Sequence, residues 1–174
     1  MMHKITEYIS EEKLDKRIRE IAAQISKDYA IKEVKLICIL KGCVFYTCEL
    51  AKRITVPVTL DFMSVSSYGS GTESSGDIKI KKDLDESIEG RDIIVVEDII
   101  DSGNTLSRLI PMLQERNPAS LKVTTLLDKP DRREVDDVQV DYVGFEIEDK
   151  FVVGYGLDYD QSYRDLPYIG VVEL

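Results

Sequence analysis

Residues 95–106 read Val-Val-Glu-Asp-Ile-Ile-Asp-Ser-Gly-Asn-Thr-Leu, an apolar strand that runs into three carboxylates and then into a loop of small residues. Backbone amides in such a loop point outward at the N-terminus of the following helix, where the helix dipole favours an anion. The small side chains let a phosphate approach closely. The stretch therefore predicts a phosphate-binding loop, whose residues are Ser102, Gly103, Asn104 and Thr105.

Glu97 and Asp98 leave the strand beside this loop, where their oxygens could accept the two hydroxyls of a ribose whose 5-phosphate the loop holds. Successive strand residues face opposite sides, so both side chains converge only if the chain is already turning at Asp98. A structural alternative is an acidic N-cap region that complements the helix dipole. Three carboxylates within five residues tend to raise one another's pKa, a cost that favours the functional interpretation.

The pattern on both sides of this stretch alternates between strands and helices. Apolar residues at helical spacing follow a plausible N-cap at Ser10, and branched apolar runs are typical of buried parallel strands. The predicted helices cover 11–29, 43–54 and about 105–116, and the predicted strands cover 34–40, 57–66, 77–84, 93–96, 121–127, 140–147, 151–155 and 168–173.

This alternation predicts an α/β fold with a central, mainly parallel sheet flanked by helices. Ligands of such sheets bind outside the carboxyl ends of the strands, here 34–40, 93–96 and 121–127. A length of 174 residues suits a single domain spanning 1–174.

Composition excludes several classes of protein. With 33 acidic against 23 basic side chains, the net charge of -10 has the wrong sign for binding nucleic acid. No apolar run approaches the roughly 20 residues that span a bilayer, and no apolar signal core opens the chain, so we expect a cytoplasmic protein without a membrane partner.

Cysteine and histidine offer little chemistry. The three cysteines, Cys38, Cys43 and Cys48, are an odd and clustered set for which we expect no disulfide framework. The single histidine, His3, lies near the N-terminus, so zinc sites and histidine-based nucleophilic arrangements lack their usual group. Catalysis must then depend on carboxylates, lysines, backbone groups or a hard metal ion.

A loop at about 66–77 is rich in glycine and serine. It can be interpreted equally well as a mobile hairpin connection or as an active-site lid, because long irregular loops in compact domains are often lids.

The stretch at 95–106 resembles the phosphoribosyl-pyrophosphate motif of the type I phosphoribosyltransferases, a hydrophobic strand followed by two acidic residues and an Asp-Ser/Thr-Gly-X-Thr loop. Four further stretches, 61–68, 126–130, 143–147 and 151–159, resemble the hypoxanthine-guanine phosphoribosyltransferases. They read Asp-Phe-Met-Ser-Val-Ser-Ser-Tyr, Leu-Leu-Asp-Lys-Pro, Val-Gly-Phe-Glu-Ile and Phe-Val-Val-Gly-Tyr-Gly-Leu-Asp-Tyr. The resemblance spans nearly the whole chain.

The resemblance implies a type I phosphoribosyltransferase fold with a small hood built from the N- and C-terminal segments. It also implies a purine salvage enzyme that transfers the 5-phosphoribosyl group from phosphoribosyl pyrophosphate to hypoxanthine or guanine with Mg²⁺. The family expectation for assembly is a homodimer or homotetramer.

The same resemblance implies roles for individual residues. Asp101 would act as general base or acid at the purine nitrogen 7. Lys129 would donate to the exocyclic oxygen at purine position 6, whereas a lysine in such a turn is otherwise usually just solvated. The remaining implied residues are Phe151 and Val152 at the base; Lys41, Gly42 and Arg164 at the pyrophosphate; Ser67 and Tyr68 in the lid; Asp158 at the base and metal; and Glu97 and Asp98 at the metal as well as the ribose.

Two alternatives stay open. A phosphoribosyltransferase for xanthine, adenine or orotate would share the phosphate loop, and xanthine differs from the preferred bases only at position 2. A regulatory relative that keeps the pocket but binds RNA would need a basic face, which the net charge of -10 does not favour.

Overall fold

The computed structural model describes residues 2–67 and 77–174. Its helices are α1 Glu11–Asp28, α2 Val44–Arg53 and α3 Asn104–Gln114; its strands are β1 Lys4–Ile9, β2 Val34–Ile39, β3 Val58–Ser67, β4 Ile78–Lys82, β5 Asp92–Ile100, β6 Ser120–Asp128, β7 Tyr142–Glu146, β8 Val152–Val153 and β9 Ile169–Glu173. A short 3₁₀ turn covers Pro130–Arg132. In these two ranges, no helix has the length and apolar character needed to cross a bilayer.

Six strands form the main sheet in the order β4-β3-β2-β5-β6-β7. All neighbouring pairs are parallel except β3 with β4. The arrangement confirms the predicted α/β class with a mainly parallel sheet. It also places the carboxyl ends of β2, β5 and β6 side by side at one edge of the sheet.

The central strands β2 and β5 are buried on both faces of the sheet, since all of β2 and residues 93–97 of β5 are buried. Leu36 and Cys38 pack into a cluster with α1 and α2, whereas Ile37 and Ile39 pack into a second cluster with α3. α1 begins as predicted at an N-cap, with the Lys13 backbone N–H donating to Ser10 Oγ at 3.2 Å.

A second, antiparallel sheet joins the two ends of the chain in the order β1-β9-β8. Lys4 in β1 lies opposite Glu173 in β9, and Val152 in β8 lies opposite Val171. This sheet is the predicted hood of terminal segments.

The sequence prediction missed β1, and of the predicted strands β5 and β8 differ most in where they end. β5 continues to Ile100 instead of ending at Val96, because β6 extends alongside it and pairs as far as Asp128. β8 covers only two residues instead of 151–155, because Gly154 and Tyr155 take positive φ values of 95° and 51° and turn the chain. Pairing and backbone conformation, not apolar character, set both ends.

The sequence predicts no disulfide framework, but the structure contains one disulfide. Cys38 near the end of β2 and Cys43 just before α2 are joined as a disulfide, with Cα atoms 6.1 Å apart. The strand-to-helix turn between them brings two cysteines that are close in sequence into bonding range, which the odd count did not predict. Cys48 is free and exposed.

Candidate active site

A cleft of about 360 Å³ opens at the carboxyl ends of β2 and β5, against the N-terminus of α3. This is the edge where a parallel sheet is expected to bind ligands. Most of the residues singled out from sequence line it together: Lys41, Gly42, Glu97, Asp98, Asp101, Ser102, Gly103, Asn104, Thr105, Asp158 and Arg164.

The phosphate loop is shaped by Gly103, which precedes α3 with a φ of 83°. A Cβ there would lie 2.8 Å from Val135 Cγ2, so only glycine fits both the conformation and the space. Glu134 holds the loop through two hydrogen bonds: its backbone N–H donates to the Ser102 carbonyl at 2.9 Å, and Asn104 Nδ2 donates to Glu134 Oε2 at 2.8 Å. The first turn of α3 carries no acidic residue, so the positive helix end faces the cleft unneutralised.

Glu97 and Asp98 both line the cleft although β5 remains extended through them, so the turn expected at Asp98 is not what brings them there. Burial raises the pKa of Glu97 well above its usual range, and the neighbouring Asp98 charge adds to the effect. Burial also raises the pKa of Asp98 to about 6, against a hydrogen bond of 2.8 Å from the Ile99 backbone N–H that favours the ionised form. Hydroxyl donors or a cation would relieve this unfavourable burial.

The turn after β2 packs directly against these carboxylates. The peptide bond between Leu40 and Lys41 is cis. A Cβ on Gly42 would lie 2.7 Å from Asp98 Cγ, and one on Gly156 would lie 3.1 Å from the Gly42 carbonyl carbon. Three segments that are remote in sequence therefore meet where there is no room for a methyl group.

The cations predicted at the pyrophosphate converge on one neutral oxygen. Lys41 Nζ and Arg164 Nη2 donate to Gln161 Oε1 at 3.3 and 3.0 Å. Arg164 also lies 3.4 Å from an Asp158 oxygen, and the Gln161 backbone N–H donates to that carboxylate at 2.8 Å. Sequence reasoning missed Gln161, and only its position between Asp158 and Arg164 could have drawn attention to it.

Lys129 connects this cleft to the expected base site. Its Nζ lies 3.6 Å from Asp101 Oδ1 and 3.5 Å from Asp149 Oδ1, while its backbone N–H donates to the Ile100 carbonyl at 3.0 Å. The lysine is buried, whereas the Asp101 side chain is about half exposed. Asp149 was not predicted, because its role depends on the fold of the segment before β8.

Phe151 and Val152 do not line the cleft. Phe151 is 44% exposed, and its ring lies nearly perpendicular to the Tyr159 ring with centroids 5.4 Å apart. Val152 is buried in the hood sheet opposite Val171.

The structure describes only part of the predicted lid. Ser67 ends β3 opposite Ile78, is exposed and does not line the cleft. Tyr68 and most of the predicted loop at 66–77 lie outside the described residues. Among the residues on either side of that gap, no three His, Cys, Asp or Glu side chains form a group that could hold a metal ion.

The phosphoribosyl transferase domain family matches residues 5–160. The chain belongs to the phosphoribosyltransferase family. It is 52% identical over 174 residues to the hypoxanthine phosphoribosyltransferase of Buchnera aphidicola, covering 99% of this chain and 98% of that one. It is 51% identical over 165 residues to the hypoxanthine-guanine phosphoribosyltransferase of Bacillus subtilis, covering 95% and 91%.

Solved structures of the family have the same fold. The crystal structure of a hypoxanthine-guanine phosphoribosyltransferase from Bacillus anthracis aligns with a TM-score of 0.93 at 46% identity, covering 99% of this chain and all of that one. A hypoxanthine phosphoribosyltransferase from Staphylococcus aureus aligns with a TM-score of 0.92 at 46% identity, covering 97% and 91%. These likenesses confirm the resemblance and the fold expected from sequence, while the roles of individual phosphoribosyltransferase residues stay predictions.

Proposed function

We propose that this phosphoribosyltransferase acts in purine salvage, transferring the 5-phosphoribosyl group from phosphoribosyl pyrophosphate to hypoxanthine or guanine. The products are inosine or guanosine monophosphate and pyrophosphate. One observation carries the proposal: a single cleft combines an anion-binding helix N-terminus, buried carboxylates and two cations, with Lys129 3.6 Å from Asp101 at its edge.

Each part of the cleft suits one part of the sugar substrate. The loop amides at 102–105 bind the 5-phosphate, and Glu97 and Asp98 accept the ribose hydroxyls. Arg164 and the Lys41–Gly42 turn bind the pyrophosphate, with the guanidinium engaging two oxygens. Catalysis then depends mainly on positioning and on stabilising the charge of the leaving group.

The donor set suits Mg²⁺ bound together with substrate. Glu97, Asp98 and Asp158 present carboxylate oxygens to the cleft, and Mg²⁺ commonly takes one or two carboxylates and completes its shell with substrate phosphates and water. A closed cage of protein ligands is therefore not required. When bound, the ion would neutralise negative charge on the departing pyrophosphate.

Asp101 and Lys129 act on the base. In the transfer, the bond from the anomeric carbon to pyrophosphate breaks with its electron pair leaving on the pyrophosphate, and purine nitrogen 9 bonds to that carbon. The base loses its proton from nitrogen 7, and the Asp101 carboxylate accepts it. The Lys129 ammonium donates to the oxygen at position 6, whereas the amino group of adenine offers no acceptor there.

The deciding experiment measures nucleotide formation from phosphoribosyl pyrophosphate and Mg²⁺ with hypoxanthine, guanine, xanthine, adenine or orotate, each against a chelated control. Metal-dependent formation of inosine and guanosine monophosphates is expected. Turnover of adenine or orotate alone would mean that the Lys129 region is misinterpreted. Turnover of xanthine as well would widen the substrate range without changing the reaction, and no turnover at all would overturn the proposal.

The proposed setting follows the same resemblance. The protein is a cytoplasmic homodimer or homotetramer that acts on small molecules. It binds neither membranes nor nucleic acid, and the net charge of -10 disfavours nucleic acid as a partner. Light scattering on the purified chain gives the assembly directly, and a monomer at micromolar concentration would contradict that part of the proposal.

A further inference from the structure

The segment that follows Lys129 packs against the phosphate loop. We call residues 133–135 the brace. Its Arg133 Nε donates to the Asp101 carbonyl at 3.3 Å, and its Glu134 N–H donates to the Ser102 carbonyl at 2.9 Å. The Arg133 Cδ and Val135 Cγ2 atoms lie 2.9 and 2.8 Å from where a Cβ on Gly103 would be. The brace thus contacts three consecutive residues of the loop.

Arg133 also reaches back to the strand that carries Lys129. Its Nη2 forms an ion pair with Asp128 Oδ1, and the two side chains are only 21% and 10% exposed. Asp128 is the last residue of β6 and lies opposite Ile100 in β5. One guanidinium therefore connects the end of the base-side strand to the main chain of Asp101.

We propose that Arg133 is a positioning residue that, through its ion pair with Asp128, holds Asp101 and the phosphate loop in place relative to Lys129. The inference rests on the proposed function and adds a residue to its machinery. The planar guanidinium donates in two directions from a fixed geometry, which the single ammonium of lysine cannot reproduce. Asp128 neutralises the charge and fixes the orientation of the fork.

The structure separates this role from direct phosphate binding. Arg133 does not line the cleft, and its Nε and Nη2 are directed at the Asp101 carbonyl and at Asp128. If the guanidinium bound phosphate itself, removing the Asp128 charge would release it and maintain or improve the affinity for phosphoribosyl pyrophosphate. If it positions the loop, removing the Asp128 charge must weaken that affinity.

The test compares Arg133→Gln, Arg133→Lys and Asp128→Asn by kcat, by KM for phosphoribosyl pyrophosphate and for hypoxanthine, and by thermal unfolding. Arg91→Gln is the matched control, because Arg91 pairs with Glu33 at 2.7 Å on the surface near the opposite end of β5. We expect Arg133→Gln and Asp128→Asn each to lower kcat/KM for phosphoribosyl pyrophosphate by roughly 10- to 100-fold. The double variant should be no worse than the poorer single one, because both remove one interaction.

In Arg133→Lys, kcat/KM for phosphoribosyl pyrophosphate should fall at least about 5-fold while the protein remains folded. This variant preserves the test if Arg133→Gln does not fold. Wild-type kinetics in Arg133→Lys, or an unchanged or lower KM in Asp128→Asn, would overturn the inference. A fall in unfolding temperature with kinetics unchanged in the folded range would also overturn it, by showing a structural role only. Absence of turnover by the unmodified protein would instead refute the proposed function.

Discussion

Replacing Gly42 by alanine tests how closely the pyrophosphate turn is fitted to the ribose site. The Gly42 backbone is not in the left-handed region, so alanine introduces no conformational strain there. Its methyl group would instead lie 2.7 Å from Asp98 Cγ. The nearer Asp98 Oδ2 would overlap the methyl group, so restoring ordinary contact at 3.4 Å requires the carboxylate to retreat by more than 0.7 Å, which moves it away from the ribose hydroxyls it is proposed to bind.

A displacement of that size removes one charge-assisted hydrogen bond from the bound substrate. Such a bond contributes roughly 1.5–3 kcal/mol. At 1.36 kcal/mol for each factor of ten, kcat/KM for phosphoribosyl pyrophosphate should fall roughly 10- to 150-fold. Overpacking should also destabilise the fold by about 1–3 kcal/mol.

Steady-state kinetics at saturating hypoxanthine and thermal unfolding measure both effects. Gly90→Ala is the control, because Gly90 has a φ of 69° but a Cβ added there would meet no atom of the described residues within 4 Å. That variant should lose about 1 kcal/mol of stability and keep wild-type kinetics. If Gly42→Ala retains wild-type kcat/KM for phosphoribosyl pyrophosphate, or changes it no more than the control does, the proposed contact between the turn and the ribose site is wrong.

Three further substitutions test single roles. Asp98→Asn should raise the unfolding temperature of the metal-free protein by about 6–12 °C at pH 8 and by much less at pH 4. Because folding raises the pKa of Asp98 from 3.8 to about 6, the folded state loses stability as the pH rises through that window. An equal increase in unfolding temperature at pH 4 and pH 8 would contradict this explanation. Asp101→Ala should lower kcat by roughly 10²- to 10⁴-fold with little change in phosphoribosyl-pyrophosphate affinity by calorimetry, and the reverse pattern would refute the role assignment. Lys129→Gln should lower kcat/KM for hypoxanthine roughly 10- to 100-fold while KM for phosphoribosyl pyrophosphate stays constant, and unchanged base kinetics would exclude the lysine from base recognition.

The fold could be predicted because its central strands carry strong local signals. The apolar runs of β2 and β5 leave few alternatives to a buried parallel strand, and the loop at 101–105 identifies the end of the sheet where ligands bind. Element ends were predicted less well. β5 runs to Ile100 because β6 accompanies it, and pairing between strands is not visible in the pattern of one strand.

The residues that sequence reasoning missed act through contacts between distant segments. Gln161 matters because Lys41 is 120 positions away along the chain and yet donates to its amide oxygen. Asp149 approaches Lys129 across 20 positions, and Arg133 approaches the Asp101 carbonyl across 32. None of the three carries a distinctive local motif, since glutamine, aspartate and arginine on a surface are usually just solvated.

The charges of the cleft balance each other only in part before substrate arrives. Arg164 lies 3.4 Å from Asp158, and Lys129 lies 3.6 Å from Asp101, so both cations are already engaged with carboxylates. Glu97 and Asp98 form no such ion pair within the described part of the chain, and burial raises the pKa of each. A pyrophosphorylated ribose offers hydroxyl donors to Glu97 and Asp98 and phosphate oxygens to Arg164, while the purine offers its position 6 oxygen to Lys129. The buried carboxylates thus cost the fold stability that the hydroxyls of a sugar phosphate restore, and selection for stability alone would not retain them.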